Sequence, residues 1–341
     1  MKNYLEKIIQ QQSLTEEEMK NAASYLFSEE VTDTEISSFI TGLKMKGETV
    51  DEIVGIVRAV REQTLPFSNT ILGCIDNCGT GGDRSQSFNI SSTSAFVLAG
   101  AGIPVAKHGN RSISSKTGSA DVLEHLGIKL NVTPEQSEAQ LEEVGITFLF
   151  AQHVQPKMGR IMKVRRELGI PTIFNLIGPL TNPIALESQV LGIYRGDLTV
   201  TFAEVLKKLG RRRAVVLNGA GGMDEASLQG DNDLVILSNG EIERIVLHPN
   251  DVNLPTYSND QIKGGDSKRN AEILLDVLNG KQGAYRDTVL LNAGIGIYTA
   301  GRADSIKDGI KLAMESIDSG AALNKLHLLV EHSREIEKAG I

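Results

Sequence analysis

The sequence predicts an α/β protein in which a small all-helical domain precedes a larger α/β domain built on a central, mostly parallel sheet. Two observations predict it. Ahead of about Pro66 every periodic segment is helical, and from about Ile71 onward short apolar runs alternate with helical patterns, as in a sheet covered by helices. A length of 341 residues suits two ordinary domains, or one large domain with an appendage.

The opening MKNYLEKIIQQQ reads as an amphipathic helix rather than a secretory signal, and no apolar run is long enough to span a bilayer. Three helix starts follow, each a Thr with a Glu three residues on: Thr15 with Glu18, Thr32 with Glu35, Thr49 with Glu52. In such a pair the hydroxyl accepts an orphan backbone N–H of the first turn while the carboxylate reaches back to the cap. Behind the second start Ile36, Phe39, Ile40 and Leu43 share a helical face, and behind the third Ile53, Ile56, Val57 and Val60 repeat the spacing.

Candidate strands beyond Pro66 are Cys74 to Asp76, Ile103 to Ala106, Ile146 to Phe150, Gln189 to Tyr194, Ala214 to Leu217 and Thr288 to Leu291. The segment DLVILSNGEIERIVL is a hairpin with Asn239-Gly240 as its two-residue turn. Helices are expected from about Ala303 to Ile317 and from Ala321 to Lys338. There is no internal repeat and no low-complexity segment.

Lys and Arg number 35 against 43 Asp and Glu, a net charge of −8, which argues against bulk nucleic-acid binding and requires any anionic ligand to be held by a local site. The two cysteines, Cys74 and Cys78, are spaced CxxxC, matching neither a redox CxxC nor a four-ligand zinc pattern; they read as reduced thiols of a cytoplasmic protein.

Three stretches carry chemistry. The first, CGTGGDRSQSFNISS (Cys78 to Ser92), follows a strand and leads into SSTSAFVLAGAG, which reads as a helix. Its glycines let backbone N–H groups approach an anion, and a helix N-terminus adds unpaired donors and partial positive charge. Phosphate is the natural guest, although a structural Gly-rich turn would look the same. The dinucleotide fingerprint fails because Arg84 stands where a third glycine is needed, and GNRSISSKT resembles a Walker A loop only by accident.

The second stretch, IPVAKHGNRSISSKTGSAD (Ile103 to Asp121), runs from a strand through Lys107-His108-Gly109-Asn110-Arg111 into Ser and Thr residues. Lys107 offers a compact charge and the hydroxyls offer directional donors for phosphate, while Lys107 and Arg111 could equally be solvated and His108 a core histidine. The third, VVLNGAGGMDEAS, ends a strand in glycines followed by Asp224-Glu225. Adjacent carboxylates beside a phosphate site suit Mg²⁺, a hard cation that prefers oxygen ligands; by themselves they equally open a helix.

Taken in order, GTGGD with NIS, KHGNR with GSAD, TIFNLIGPLTNP and GMDE resemble the anthranilate phosphoribosyltransferase family of tryptophan biosynthesis over nearly the whole chain. The resemblance implies transfer of a phosphoribosyl group from 5-phosphoribosyl 1-pyrophosphate to the amine of anthranilate, assisted by Mg²⁺. Carried onto matching positions, it implies that Gly79, Gly82, Asp83, Ser87, Asn89, Ser91, Ser92, Lys107, Ser115 and Ser119 hold the donor. Ser91, Asp224 and Glu225 would serve two Mg²⁺ ions with Glu225 shared, and Gly79, Asn110 and Arg165 would meet anthranilate. It further implies a helical domain of residues 1–68 joined by an excursion over about 155–182, an α/β domain of residues 69–341, a ligand cleft at the hinge between them, and a homodimer.

One departure falls on the acceptor side. Where the family usually reads His-Pro-Ala-Met-Lys this chain has Gln155-Pro156-Lys157-Met158-Gly159, and Pro171 replaces a common arginine; His153 lies two residues upstream as an alternative imidazole. Arg165 offers a planar fork suited to a carboxylate, although KVRREL is also a charged helix face. Two other readings are a pyrimidine nucleoside phosphorylase, against which the acidic pair and the intact GNR argue, and a non-enzymatic nucleic-acid binder, against which the acidic composition argues.

Overall fold

The computed structural model describes residues 1–68, 71–111 and 117–338. Four helices open the chain: α1 (Lys2–Ile9), α2 (Glu16–Tyr25), α3 (Asp33–Lys46) and α4 (Val50–Arg61). The starts of α2, α3 and α4 are the capping boxes read from the sequence, with Thr15, Thr32 and Thr49 as caps. The faces of α3 and α4 expected to be apolar are buried, and Glu52 is buried with them because it is occupied on both oxygens, accepting from Leu14 N–H and Thr49 N–H and pairing with Lys46.

The sheet then begins with β1 (Ile75–Asp76), followed by α5 (Ile90–Gly100), β2 (Val105–Gly109), α6 (Ser119–His125), α7 (Pro134–Glu143) and β3 (Ile146–Phe150). Short α8 (Ala151–Val154) and α9 (Gly159–Leu168) lead through 3-10 turns to β4 (Ser188–Gly192), α10 (Thr199–Lys208) and β5 (Arg213–Asn218). The chain closes with β6 (Asn232–Ser238), β7 (Glu241–Leu247), α11 (Ser267–Leu278), α12 (Ala284–Thr299), α13 (Ile306–Asp318) and α14 (Ala321–Lys338).

The strands form one sheet in the order β3-β2-β1-β4-β5-β6-β7. The first five are parallel, with Ile75 opposite both Val105 and Ser188; β6 and β7 are antiparallel additions joined at Asn239 (φ 50°) and Gly240 (φ 90°). Both turn residues are left-handed, as a two-residue hairpin of this hand requires.

Alternation along the strands divides the core. Val215 and Leu217 face a cluster built on α5, α12, α13 and α14, whereas Ala214 and Val216 face one shared with the N-terminal helices. Into this second cluster Ile161 and Val164 of α9 and Ile173, Phe174 and Leu180 of the turns are also packed. Four successive carbonyls of the turn at 178–181 are each held by a different element. His108 Nδ1 donates to Gly178 O (3.1 Å), Gln189 Nε2 to Pro179 O (2.7 Å), Arg61 Nη2 to Leu180 O (2.6 Å) and Gln155 Nε2 to Thr181 O (3.0 Å).

One expected strand is wrong: residues 288–291 lie inside α12. The apolar run was read as a buried strand because α12 has almost no polar stripe: Val289, Leu290, Leu291, Ala293, Ile295 and Ile297 are all fully buried, its sides being covered by α5, α13 and the sheet. Periodicity does not distinguish a strand from a helix buried on all sides. The second strand is shifted, starting at Val105 and continuing through Lys107 and His108, which places the expected phosphate-binding lysine on the strand itself.

Candidate active site

Strands β1, β2, β4 and β5 are parallel, so their carboxyl ends share one edge of the sheet, where open α/β sheets take ligands. The Gly-rich loop leaves β1 there, Asn110 follows β2, and the acidic pair follows β5. Their proximity depends on missing side chains. A Cβ on Gly79 would lie 2.3 Å from Asp224 Oδ2, one on Gly192 1.5 Å from the Asp224 carbonyl, and one on Gly219 2.0 Å from the Glu225 carbonyl. Three glycines from three strand ends thus make the space through which the acidic segment passes.

Donors from the first loop then meet the carboxylates. Gly81 N–H donates to Asp224 Oδ2 (2.6 Å), and Ser91 N–H, in the first turn of α5, donates to Glu225 Oε1 (2.8 Å). The helix N-terminus so favours the charged form of Glu225. Burial, the larger effect, and then the Asp224 charge hold the Glu225 carboxyl well above its ordinary range; burial and then Asp83 raise Asp224. Asp83 has its Oδ2 buried without a partner, while its Oδ1 accepts from Ser85 N–H (3.0 Å). The donor set is therefore oxygen only and carries excess negative charge, which a hard divalent cation would relieve. Among the described residues no three His, Cys, Asp or Glu side chains cage a metal by themselves.

Lys107 is buried, with its ammonium 3.4 Å from Asn77 Oδ1, and Asn77 in turn donates to the Ser91 carbonyl (2.8 Å), so the lysine and the α5 N-terminus belong to one network. Asn89 caps α5 by position, its side-chain oxygen accepting from Asn270 of α11 (2.9 Å). Ser87 Oγ pairs with Ser85 Oγ (3.1 Å), Ser92 Oγ is buried without a partner, and Gly82 (φ 86°) sits against the ring of Tyr194. Ser119 opens α6 and donates to the Asn110 carbonyl (3.2 Å), while Asn110 Oδ1 accepts from Arg111 N–H and Gln152. Ser115 lies outside the described residues. Arg111 is paired with Asp121 and Glu124. Asp121 also accepts from Gly118 N–H (2.8 Å), so it joins Arg111 to the start of α6.

Arg165 stands apart from this network. Burial lowers its guanidinium to about 10, still charged at neutral pH; its contacts are Met162 Sδ (2.9 Å) and the face of Phe174, 5.7 Å from the ring centroid, and no acidic side chain pairs with it among the described residues. At the departure from the family pattern, Gln155 turns inward and is buried, its amide used on Thr181; Lys157 reaches Gln63 and Gly159 is an ordinary helical residue. Both cysteines are free thiols, and burial pushes Cys74 up to about 11 and Cys78, next to the site, up to about 12. Gly192, Gly219, Asn77 and Asn292 were missed from the sequence: a glycine ending an apolar strand, or an Asn between apolar residues, carries no local sign of what it approaches.

Comparison with known proteins places this arrangement. A family described as "Glycosyl transferase family, a/b domain" matches residues 72–323, and one described as "Glycosyl transferase family, helical bundle domain" matches residues 2–64. An anthranilate phosphoribosyltransferase of Bacillus cereus is 57% identical over 335 residues, 98% of each chain. The crystal structure of that enzyme from Thermus thermophilus superposes with a TM-score of 0.92 at 38% identity, covering 97% of this chain and 99% of the other. The Saccharomyces cerevisiae enzyme in complex with PRPP and Mg does so at 0.90 and 25% identity, covering 98% and 97%. The chain belongs to the two-domain glycosyl transferase family, and within it to the anthranilate phosphoribosyltransferases.

Proposed function

We propose that this protein transfers the phosphoribosyl group of 5-phosphoribosyl 1-pyrophosphate to the amine of anthranilate, giving N-(5-phosphoribosyl)anthranilate and pyrophosphate. The observation that carries the reading is the junction of the Gly79–Ser92 loop, buried Lys107 and Asp224-Glu225 at one sheet edge. In the reaction the bond from the anomeric carbon to pyrophosphate breaks and a bond to the amine nitrogen forms. The nitrogen's proton passes to solvent, and an aromatic amine is already neutral at pH 7, so no side chain is assigned as general base.

The chain's own groups bind and align. Gly79, Gly82, Asp83, Ser87, Asn89, Ser91, Ser92, Lys107, Ser115 and Ser119 are assigned to the donor, the backbone N–H groups and Lys107 meeting phosphate oxygens. Gly79, Asn110 and Arg165 are assigned to anthranilate, with the unpaired guanidinium facing the carboxylate and Phe174 fixing its plane. Ser91, Asp224 and Glu225 would hold Mg²⁺, two ions per monomer with Glu225 shared. Mg²⁺ when bound neutralises the departing pyrophosphate. Closure of a helical domain (1–68 with 155–182) on the α/β domain (69–341) would exclude water from the cleft. The family resemblance supports a homodimer and a cytoplasmic location; no helix among the described residues is long and apolar enough to cross a membrane.

The test is the loss of anthranilate fluorescence on mixing protein, Mg²⁺ and phosphoribosyl pyrophosphate, abolished by EDTA. Donor binding without fluorescence loss would overturn the acceptor assignment, and phosphate-dependent cleavage of a pyrimidine nucleoside would replace it with a phosphorylase.

A further inference from the structure

The loop that carries the acidic pair is rich in glycine and is closed by Gly219 and Met223, which exchange backbone hydrogen bonds (2.8 and 3.2 Å), leaving Asp224 and Glu225 just beyond the closure. Gly219, Gly221 (φ 86°) and Gly222 (φ 78°) precede Asp224, and left-handed glycines leave a chain with many accessible conformations. Something must choose one of them. Gly81 N–H and Ser91 N–H hold the two carboxylates, both from the Gly-rich loop and the start of α5.

The opposite side is held by Asn292, half-buried in the middle of α12. Its Oδ1 accepts from Ala226 N–H (2.9 Å) and its Nδ2 donates to Ala226 O (2.8 Å), so one side-chain amide grips both polar atoms of the residue after Glu225, as a neighbouring strand would. The remaining Nδ2 proton goes to the Thr288 carbonyl (2.9 Å), one turn back on α12, which fixes the amide's orientation. Asn292 lines the same recess as Gly79, Ser91, Asp224 and Glu225. Helix α12 packs on α5, with Gly296 against Leu98, so the helix that donates to Glu225 and the helix that clamps Ala226 form one rigid pair.

We infer that Asn292 is a positioning residue for this enzyme's metal site: its two hydrogen bonds to Ala226 set the spacing of the Asp224 and Glu225 carboxylates. The inference rests on the reading of that pair as metal ligands. It requires an amide; no other residue type of this size presents a donor and an acceptor in the same plane.

The test compares wild type with Asn292→Ala, Asn292→Ser and Thr299→Ala. Ser retains a hydroxyl able to satisfy the Thr288 carbonyl but does not reach Ala226 with a paired donor and acceptor. Thr299, buried on the same helix and bonded to the Ile295 carbonyl, controls for loss of helix stability alone. Mn²⁺ binding in the presence of phosphoribosyl pyrophosphate is read by electron paramagnetic resonance, beside the Mg²⁺ needed for half-maximal turnover, the KM for anthranilate and the thermal midpoint. Both Asn292 variants are expected to weaken Mn²⁺ binding and raise the Mg²⁺ requirement about tenfold, with the anthranilate KM within about twofold of wild type and Thr299→Ala unchanged in all three. Wild-type Mn²⁺ binding in a folded Asn292 variant overturns the inference. So does a parallel change in every constant that Thr299→Ala reproduces, or failure of both Asn292 variants to fold where Thr299→Ala folds. If wild type itself neither binds Mn²⁺ with the donor nor consumes anthranilate, the reading of the site fails instead.

Discussion

The strand-end junction that carries Asp224 and Glu225 and the surroundings of Arg165 are built by different means. At the strand-end junction, Gly79, Gly192 and Gly219 leave the space that the acidic segment fills, and Gly81 N–H, Ser91 N–H and the Asn292 side-chain amide bond to it. Arg165 rests on a sulfur and a ring face, and the turn at 178–181 is held by side chains from β2, β4, α4 and Gln155. Backbone approach leaves no tolerance for an added atom, whereas side-chain clamps can be exchanged for others of like bonding. Gln155, where the sequence departs from the family pattern, is one of these side-chain holds, its amide donating to Thr181 O.

The sharpest break in that contrast is Gly192→Ala. Its Cβ would have to lie within 1.5 Å of the Asp224 carbonyl, so the acidic segment must move, and turnover should fall at least about a hundredfold. Activity within a few fold of wild type would show that the segment is not held by this approach.

Next in size is Arg165→Ala, expected to raise the KM for anthranilate about tenfold or more while leaving the donor KM within about twofold. Equal effects on both substrates would break the division into two sides.

A smaller effect follows from two buried titratable groups, His108 and Asp76. Burial lowers His108 to about 4, so its contribution to stability is complete above the unfolded value near 6.5 and is lost as pH falls through that window. Asp76 runs oppositely: burial raises it to about 6, and the folded state loses stability as pH rises from the unfolded value near 4 to 6. The two largely cancel between pH 5 and 7. His108→Gln removes one of them, so its stability at pH 5 relative to pH 7 should exceed the wild type's by about 2 kcal/mol in denaturant titrations. An unchanged pH dependence would mean that His108 is not buried neutral.

The smallest effect is expected at a glycine outside the strand-end junction. Gly159 begins α9 with helical angles and nothing within 4 Å of its missing Cβ, so Gly159→Ala should stabilise by about 0.5 to 1 kcal/mol and leave turnover unchanged. A loss of activity there would show that this region also depends on a glycine.

Much of this was legible beforehand where the controlling interactions are short in range. The capping boxes at Thr15, Thr32 and Thr49 and the Asn239-Gly240 turn depend on atoms within a few residues of one another, and they formed as read. Helix α12 did not, because it is buried on every side and its sequence lacks the polar stripe that reveals a helix. The same blindness hid Asn292, whose partner is 66 residues away.

By itself, then, the sequence determined the helical start, the parallel sheet, the hairpin, and which residue types could meet phosphate, metal and a carboxylate. Those follow from local backbone preference, periodicity and the chemistry of single side chains. Only the tertiary structure decided that Arg111 is spent on Asp121 and Glu124, that Gln155 faces inward, and that glycines from three strand ends open one path for Asp224 and Glu225. Each of these is a contact beyond the reach of local backbone preference, set by excluded volume and hydrogen-bond satisfaction when elements pack, and no local pattern encodes which of the possible partners will be met.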